Sequence, residues 1–536
     1  MYDKFHFVPF ALFIATFLLG CAGQPPATPT VMTQPTLAVP TLEPLQRLTL
    51  VPSPTLSKPA IQTPAWFDDV VMYEIFPRSF YDTNGDGIGD LKGITQKLDY
   101  LGDLGVGALW LTPIHPSPSY HGYDITDYYK INPDFGTEQD LIDLVNEAHK
   151  RDIKIILDFV AGHTSNQHPF FKDAFANPAS KYSKWYRWKN DAQTEYHMFG
   201  TSTTLPSLNQ DHPETRAYLI DAAKYWIEKA NIDGYRLDYA LGPSHDFWKA
   251  FRAELKKTNP DFLLLGEVWD SMFKIAPYYE DQFDATFDFP TYMSLMGTHE
   301  RAGKSILLGQ APASAFQTAL KLARVAYHPG AQSVRFLNNH DTVRVASQAH
   351  GDMARQKLGA TLLLTMPGTP MMYYGEEIGM LGDKTDGDKT VREPMEWYAA
   401  RTGPGAPTWY KLFNKADDGI SVEEQLGKKD SLLEHYRALI ALRENHPALR
   451  HGDFFPLPIP SHKQVIAYAR IAGDETFVIV LNPTAESAAV ALDLRALAAG
   501  NVTLTDMLTA DTFPPAPAAA VPLTLAPRSG HILQPK

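Results

Sequence analysis

The chain has 536 residues, 44% of them apolar, 20% charged and 12% aromatic, a balance that excludes a disordered acidic tail and a multi-span membrane protein. At about 100–200 residues per domain the length suggests roughly three folded units. With 61 acidic against 48 basic residues the formal net charge is −13, and no basic stripe offsets it, so nucleic acid is a poor partner; the single cysteine excludes a disulfide framework.

In chain order, Lys4 precedes an apolar run from Phe5 to Gly20 that is too short for a comfortable membrane span and reads as an export signal. It ends Leu18-Leu19-Gly20-Cys21, which resembles the lipobox of bacterial lipoproteins; an ordinary signal that happens to contain a cysteine is the alternative. Residues 22–65 are dense in Pro, Thr, Ser and Ala and lack an apolar period, so they are expected to form an extended tether after a signal peptide at 1–21. The expectation is an exported protein on the outer side of a bacterial membrane, touching that membrane only through a lipid anchor on Cys21.

After Trp66, short apolar runs alternate with amphipathic stretches. The runs are Val70–Phe76, Ala108–Thr112, Ile153–Val160, Gly234–Asp238, Phe262–Trp269, Ala285–Phe289, Ser333–Asn339 and Met371–Gly375. Helical spacing follows in Glu138–Arg151, Glu214–Ala230, His245–Lys257, Ala313–Ala326, Asp352–Met366 and Ser431–Glu444. Strands apolar on both faces, each followed by a helix, predict a closed (β/α)8 TIM barrel over residues 66–450. An open doubly wound sheet is the weaker alternative, because no glycine-rich phosphate loop follows the first strand. The stretch 161–211 is too long for a plain loop and predicts a small inserted B subdomain after strand three. Alternating runs at Val465–Tyr468, Thr476–Leu481 and Ala489–Leu492 predict a C-terminal antiparallel β-sandwich over 451–536.

Chemistry in such a barrel sits at the C-terminal strand ends. Here those ends carry charge: Asp158 to His163 after strand three, Arg236 and Asp238 on strand four, Glu267 on strand five, and His340-Asp341 with Arg344 after strand seven. Arg236 and Asp238 are two apart and share a side, so the guanidinium is expected to keep Asp238 ionised as a nucleophile requires. Glu267, beside Val268 and Trp269, is expected to be desolvated and raised toward a general acid. Ordinary rim salt bridges would explain one such ending, not four.

The stretches Asp158–His163, Gly234–Asp238, Gly266–Trp269 and Phe336–Asp341 resemble, in order and spacing, the signature regions of the α-amylase family of retaining glycoside hydrolases. Leu205–Asn209, His121–Asp124 and Arg392–Trp397 are similar to further stretches of that family. The resemblance runs from Trp66 to the C terminus and implies that Asp238 attacks the anomeric carbon, Glu267 protonates the leaving oxygen and Asp341 holds sugar hydroxyls. It further implies that Arg236 orients the nucleophile, that His163 and His340 contact the sugar, that Tyr123 stacks on it, and that Asp124, Arg344 and Arg392 belong to the substrate site. The implied substrate is an α-glucan or maltooligosaccharide, with no obligate protein partner. The implied reaction is α-1,4 hydrolysis as in an α-amylase. The alternative is an oligosaccharide enzyme of the same family, cutting α-1,6 and α-1,4 bonds or transferring glucan, and His163–Phe171 is similar to that group. A glucan-binding protein on a dead scaffold should have lost a carboxylate, and all three are present.

Two positions depart from the family. Gly162 stands where Asn commonly helps to bind calcium, and Tyr239-Ala240-Leu241-Gly242 replaces the Ala and Lys-His that line the leaving-group side. A different calcium site is expected in the loop after strand one. There Asp82, Asn84, Asp86 and Asp90 offer hard oxygens at positions 1, 3, 5 and 9, with the Ile88 carbonyl at position 7. An exposed acidic turn is the plainer reading of that loop. The ion's role would be structural, since the double displacement needs no metal.

Overall fold

The computed structural model describes residues 63–297, 304–328 and 330–536; the expected signal at 1–21 and nearly all of the tether lie outside the described residues. The sheet closes as an eight-stranded parallel barrel of β1 (Met72–Ile75), β2 (Ala108–Leu111), β3 (Lys154–Phe159), β4 (Gly234–Leu237), β5 (Leu263–Gly266), β6 (Ala285–Phe287), β7 (Gln332–Arg335) and β8 (Thr369–Tyr373). Closure is direct, with Met72 in register with both Ala108 and Met371. Nearly every residue of these strands is buried, which is why they read as continuous apolar runs rather than alternating ones.

The helices start where capping side chains stand. Thr137 and Asp140 form a capping box ahead of Glu138–His149, Ser244 accepts from the Phe247 N–H ahead of His245–Thr258, and Ser431 does the same for Leu432–Asn445. Strands four and five are shorter than the sequence suggests. They end at Leu237 and Gly266, so Asp238 and Glu267 are the first residues beyond the strands, their N–H groups still held by the Phe159 and Leu237 carbonyls (3.1 and 3.0 Å) at the mouth.

The insertion holds one short helix, Pro169–Ala174, and isolated bridges rather than a sheet, among them His163 with Ser207 and Tyr186 with Leu208. Its cohesion is aromatic: Phe170 stacks on Tyr182 at 4.0 Å and Phe171 on Trp188 at 5.7 Å.

The C-terminal module comprises β9 (Asp453–Pro456), β10 (Ile466–Ala472), β11 (Glu475–Asn482), β12 (Ala488–Leu492), β13 (Asn501–Asp506), β14 (Thr512–Pro517), β15 (Val521–Leu525) and β16 (Ser529–Pro535). Six of them form a sheet in the order β14-β13-β16-β11-β10-β9, against which the β12-β15 pair packs. Strand alternation divides β11 between two cores. Val478 and Val480 join Val490 and Leu523 inside the module, while Phe477, Ile479 and Leu481 join the barrel's core.

Two buried arginines, bonded to carbonyls and, among the described residues, to no carboxylate, lie where the barrel meets the module: Arg443 braces the barrel side and Arg470, on β10, crosses to it. Arg443 donates to the carbonyls of Leu364 (3.0 Å), Gly368 (2.8 Å) and Leu449 (2.8 Å). Arg470 donates to Thr365 (2.6 Å) and, through Nε and Nη2, to Gly452 (3.1 and 3.0 Å). Burial lowers the Arg470 pKa to about 10, with Tyr468 opposing. Arg470→Ala would orphan these carbonyls, and a hydrogen bond to a charged group is worth about 1.5–3 kcal/mol. Thermal unfolding should therefore show a clearly lower melting temperature for Arg470→Ala. Arg470→Lys should recover only part of the loss, because one ammonium cannot span both carbonyls; equal melting of all three proteins would refute the tie.

Candidate active site

Asp158 and Arg236 are register partners on β3 and β4, and Asp238 follows two residues after Arg236. That placement lets one guanidinium serve three carboxyls. Arg236 Nη1 donates to Asp158 Oδ2 (2.9 Å) and Asp238 Oδ1 (2.8 Å), while Nη2 lies 2.8 Å from Glu267 Oε1. The ring of Trp110 lies under the guanidinium carbon at 5.0 Å. Arg236 is 1% exposed, Asp238 7% and Glu267 9%, so the pairing takes place almost out of water.

Burial raises the Asp238 carboxyl above its ordinary value, with Arg236 opposing it. Arg236 pulls toward the ionised form, as expected of it, but it is shared three ways and desolvation outweighs its share. Glu267 is raised, as expected, by burial against the pull of Arg236. The exposed ring of Trp269 does not enclose it but stacks outward on Phe289 at 4.5 Å. Asp158 is pushed up to about 7 by burial, again against Arg236. Three buried carboxyls on one cation titrate as a unit and hold a proton more readily than any would alone.

Asp341 stands across this group on the loop after β7. Its Oδ1 accepts from Arg392 Nη2 at 2.8 Å, and its Oδ2 lies 3.1 Å from His340 Nε2. Burial would raise it, but His340, Arg392 and Lys384 hold it well below the carboxylate range. Tyr123 lies ring-to-ring on His340 at 5.5 Å; its hydroxyl donates to Asp158 Oδ2 (3.0 Å) and meets His340 Nε2 at 2.7 Å. His163 is buried, and burial lowers it to about 4, so it is neutral. Asp124 accepts from the hydroxyls of Ser117 and Ser119.

Arg344 is placed elsewhere. It is fully buried, donates to the Tyr374 carbonyl at 2.7 Å and lies over the rings of Tyr373 and Tyr374, so it braces the wall behind Asp341 rather than the cleft.

Glu74, Phe199 and the conformation of Tyr239 escaped sequence reasoning. Glu74 on β1 is wholly buried against His340. Tyr239 adopts φ +40°, a region costly for a residue with a Cβ, and its backbone N–H donates to Glu267 Oε2 at 2.9 Å. Its ring meets Phe199 edge-on at 4.7 Å and lies over Gly162, and both aromatic rings are exposed. A charge inside a strand and an aromatic residue directly after Asp238 were the available signals.

In the loop after β1, the Asn84 and Gly85 N–H groups donate to Asp82 Oδ1 (3.0 and 2.7 Å), and Ile88 N–H donates to Asp86 Oδ1 (2.8 Å). Asp90 caps the helix Leu91–Gln96 and accepts from Thr83. Among the described residues no three Asp, Glu, His or Cys side chains already converge as a metal cluster. Asp82 and Asp90 are buried, and the donors that reach them are backbone N–H groups and the Thr83 hydroxyl, with no cationic side chain among them; oxygens of this kind are the hard donors a calcium ion takes.

Residues 74–452 match the family model of the α-amylase catalytic domain, and residues 459–532 match that of the maltogenic amylase C-terminal domain. The chain is 36% identical to α-amylase 3 of Dictyoglomus thermophilum, over 78% of this chain and 85% of that one. It is 34% identical to a cyclomaltodextrinase from a Bacillus species, over 78% of this chain and 74% of that one. The crystal structure of the α-amylase from H. orenii superposes with a TM-score of 0.77 at 33% identity, covering 88% of this chain and all (100%) of the other. By fold, by the carboxyls gathered at the barrel mouth and by sequence, this chain is an enzyme of the α-amylase family, a family of glucan-acting glycosidases.

Proposed function

We propose that the enzyme hydrolyses short α-glucans, maltooligosaccharides and related branched or cyclic dextrins, cutting both α-1,4 and α-1,6 bonds as a neopullulanase-type enzyme does, in preference to endo-attack on long starch. The observation that carries the chemistry is the single guanidinium bearing both Asp238 and Glu267. Carboxylates held on adjacent nitrogens of one planar fork suit the retaining route, in which the pair stands about 5–5.5 Å apart, better than the wider gap of about 6.5–9.5 Å that inversion needs.

In this reading Asp238 attacks the anomeric carbon while Glu267 gives its proton to the leaving oxygen. Glu267 then takes a proton from water, which attacks the same carbon and releases the sugar with its configuration retained. Asp341, held ionised by His340 and Arg392, binds sugar hydroxyls. Tyr123 and neutral His163 complete the pocket for the sugar at the cleavage point.

The leaving-group side supports the substrate class. The Lys-His pair is missing there, and Tyr239 with Phe199 of the insertion presents exposed aromatic faces beside it; flat stacking accepts a glucose unit in either linkage. The cyclomaltodextrinase relative and the C-terminal match to a maltogenic amylase module point the same way.

We further propose that a calcium ion braces the first loop, held by Asp82, Asn84, Asp86, Asp90 and the Ile88 carbonyl. It would neutralise the buried carboxylates and fix the loop on 405–409, where Gly87 O already accepts from Thr408 and Trp409 N–H.

Product analysis on maltoheptaose, cyclomaltodextrin, pullulan and starch tests the reading. Cyclic and short substrates should be cleaved faster than starch, and pullulan should yield panose-type products; starch preferred over all others would overturn it. Asp238→Asn and Glu267→Gln should each lower kcat by at least about 10²-fold with the fold retained, because either loss removes one partner of the double displacement. A variant keeping a tenth of the rate would reassign the role. Chelation should lower the melting temperature, added calcium should restore it, and Asp86→Ala should weaken calcium binding; metal-stripped protein that shows no calcium uptake excludes the site.

A further inference from the structure

Glu74 is the one charged residue of β1 and is 0% exposed. Its Oε1 lies 2.5 Å from His340 Nδ1 and 3.4 Å from the His340 backbone N–H, while Oε2 meets no donor among the described residues. It falls outside every motif that carries the family resemblance. A carboxylate buried this deeply is costly unless it is paired, and its one ionic partner among the described residues is the imidazole of His340.

Resting on the sugar-cleaving role assigned above, we infer that Glu74 is a positioning residue: its carboxylate keeps His340 doubly protonated, so that Nε2–H stays fixed toward Tyr123 and Asp341.

Hydrogen-bond accounting fixes one side of the ring. The Tyr123 hydroxyl has one proton, which it donates to Asp158 Oδ2 at 3.0 Å, so toward His340 Nε2 at 2.7 Å it can only accept. Asp341 Oδ2, 3.1 Å from the same nitrogen, also only accepts. Nε2 therefore carries a hydrogen. On the other side of the ring, Nδ1 lies against the Glu74 oxygen toward which the His340 backbone N–H also points; burial raises the Glu74 pKa and His340 opposes it, and with Glu74 ionised that oxygen only accepts and Nδ1 carries the hydrogen. With Glu74 as a carboxylate, both ring nitrogens are donors and the imidazole is a cation.

The surroundings of the ring agree. Glu74 faces it from β1, Asp341 from its own loop and Tyr123 from the loop after β2; the carboxyls of Asp158 and Asp238 lie further off, together with the guanidinium of Arg236. Trp110 meets the ring edge-on at 5.5 Å. Burial alone would lower the His340 pKa, but Asp341 and Glu74 raise it to about 9. A raised folded value means the charge is complete at neutral pH and is lost only as pH climbs through about 9. Asp341 in turn owes much of its ionised state to that cation.

The test is histidine NMR on the full enzyme with 15N-labelled imidazoles, the His340 signals being identified by their loss in His340→Gln. The wild type should show an imidazolium, both nitrogens protonated, persisting above pH 8. In Glu74→Gln its pKa should fall by about two units or more, toward the ordinary value near 6.5. In the same variant kcat should drop by at least about tenfold with KM changed much less, and Glu74→Asp should restore part of the rate, since it returns the charge on a shorter arm. A neutral His340 at pH 7 in the wild type overturns the inference even if Glu74→Gln fails to fold, and so does a titration that Glu74→Gln leaves unmoved. Because the protonation state is read without substrate, these outcomes stay separate from a failure of the proposed substrate class, which product analysis would reveal.

Discussion

The mouth of this barrel is organised by a shortage of positive charge. Asp158, Asp238 and Glu267 converge on Arg236, and that guanidinium is the one cation they share at hydrogen-bonding range. A fully exposed cluster of this kind would be worth little, because water would screen it. Here the groups are nearly dry, so each carboxyl competes for the same cation and burial lifts them all. The competition keeps a proton available beside an acceptor, which is the condition that acid-assisted attack on an acetal demands.

The rest of the molecule serves that arrangement. The parallel ladder sets Asp158 beside Arg236, and a last backbone bond to the preceding strand fixes Asp238 and Glu267 just past the ends of β4 and β5. The backbone of Tyr239 bends into an unfavourable conformation, and its N–H reaches the far oxygen of Glu267. Opposite, a second and separately balanced set of charges, Glu74, His340, Asp341 and Arg392, alternates in sign from the barrel interior to the rim. The two sets touch through the Tyr123 hydroxyl, which bonds to one member of each.

Much of this was legible in the residues. Runs apolar on both faces announced the barrel because its strands are buried on both sides, and charged residues at the ends of such runs had few explanations other than chemistry. The insertion was visible from its length and its aromatic residues. What stayed hidden depended on through-space partners. Arg236 next to Asp238 looked like a private pair, and only the fold shows that Asp158 and Glu267 share the cation. Arg344 follows Asp341 closely, yet the turn between them sends it behind the wall. Glu74 sits in an ordinary strand pattern, and nothing local reveals that its partner is 266 positions away. The acidic loop at 82–90 reads equally well as a turn and as a cation cradle, because the same Asp and Asn oxygens that close Asx turns also ligate hard ions.

One contact at the base of the barrel sets an orientation. The Thr63 hydroxyl donates to the Asp284 carbonyl, just ahead of β6, and Pro64 is already buried before the short turn Ala65–Asp68 leads into β1. These residues lie at the N-terminal ends of the strands, whereas Asp238, Glu267 and Asp341 lie beyond the C-terminal ends. The described chain therefore enters the catalytic body, at Thr63, on the pole opposite its opening. Entry and chemistry thus occupy opposite poles of the same barrel, so the turn that leads into β1 leaves the strand ends that carry the carboxyls free of the incoming chain.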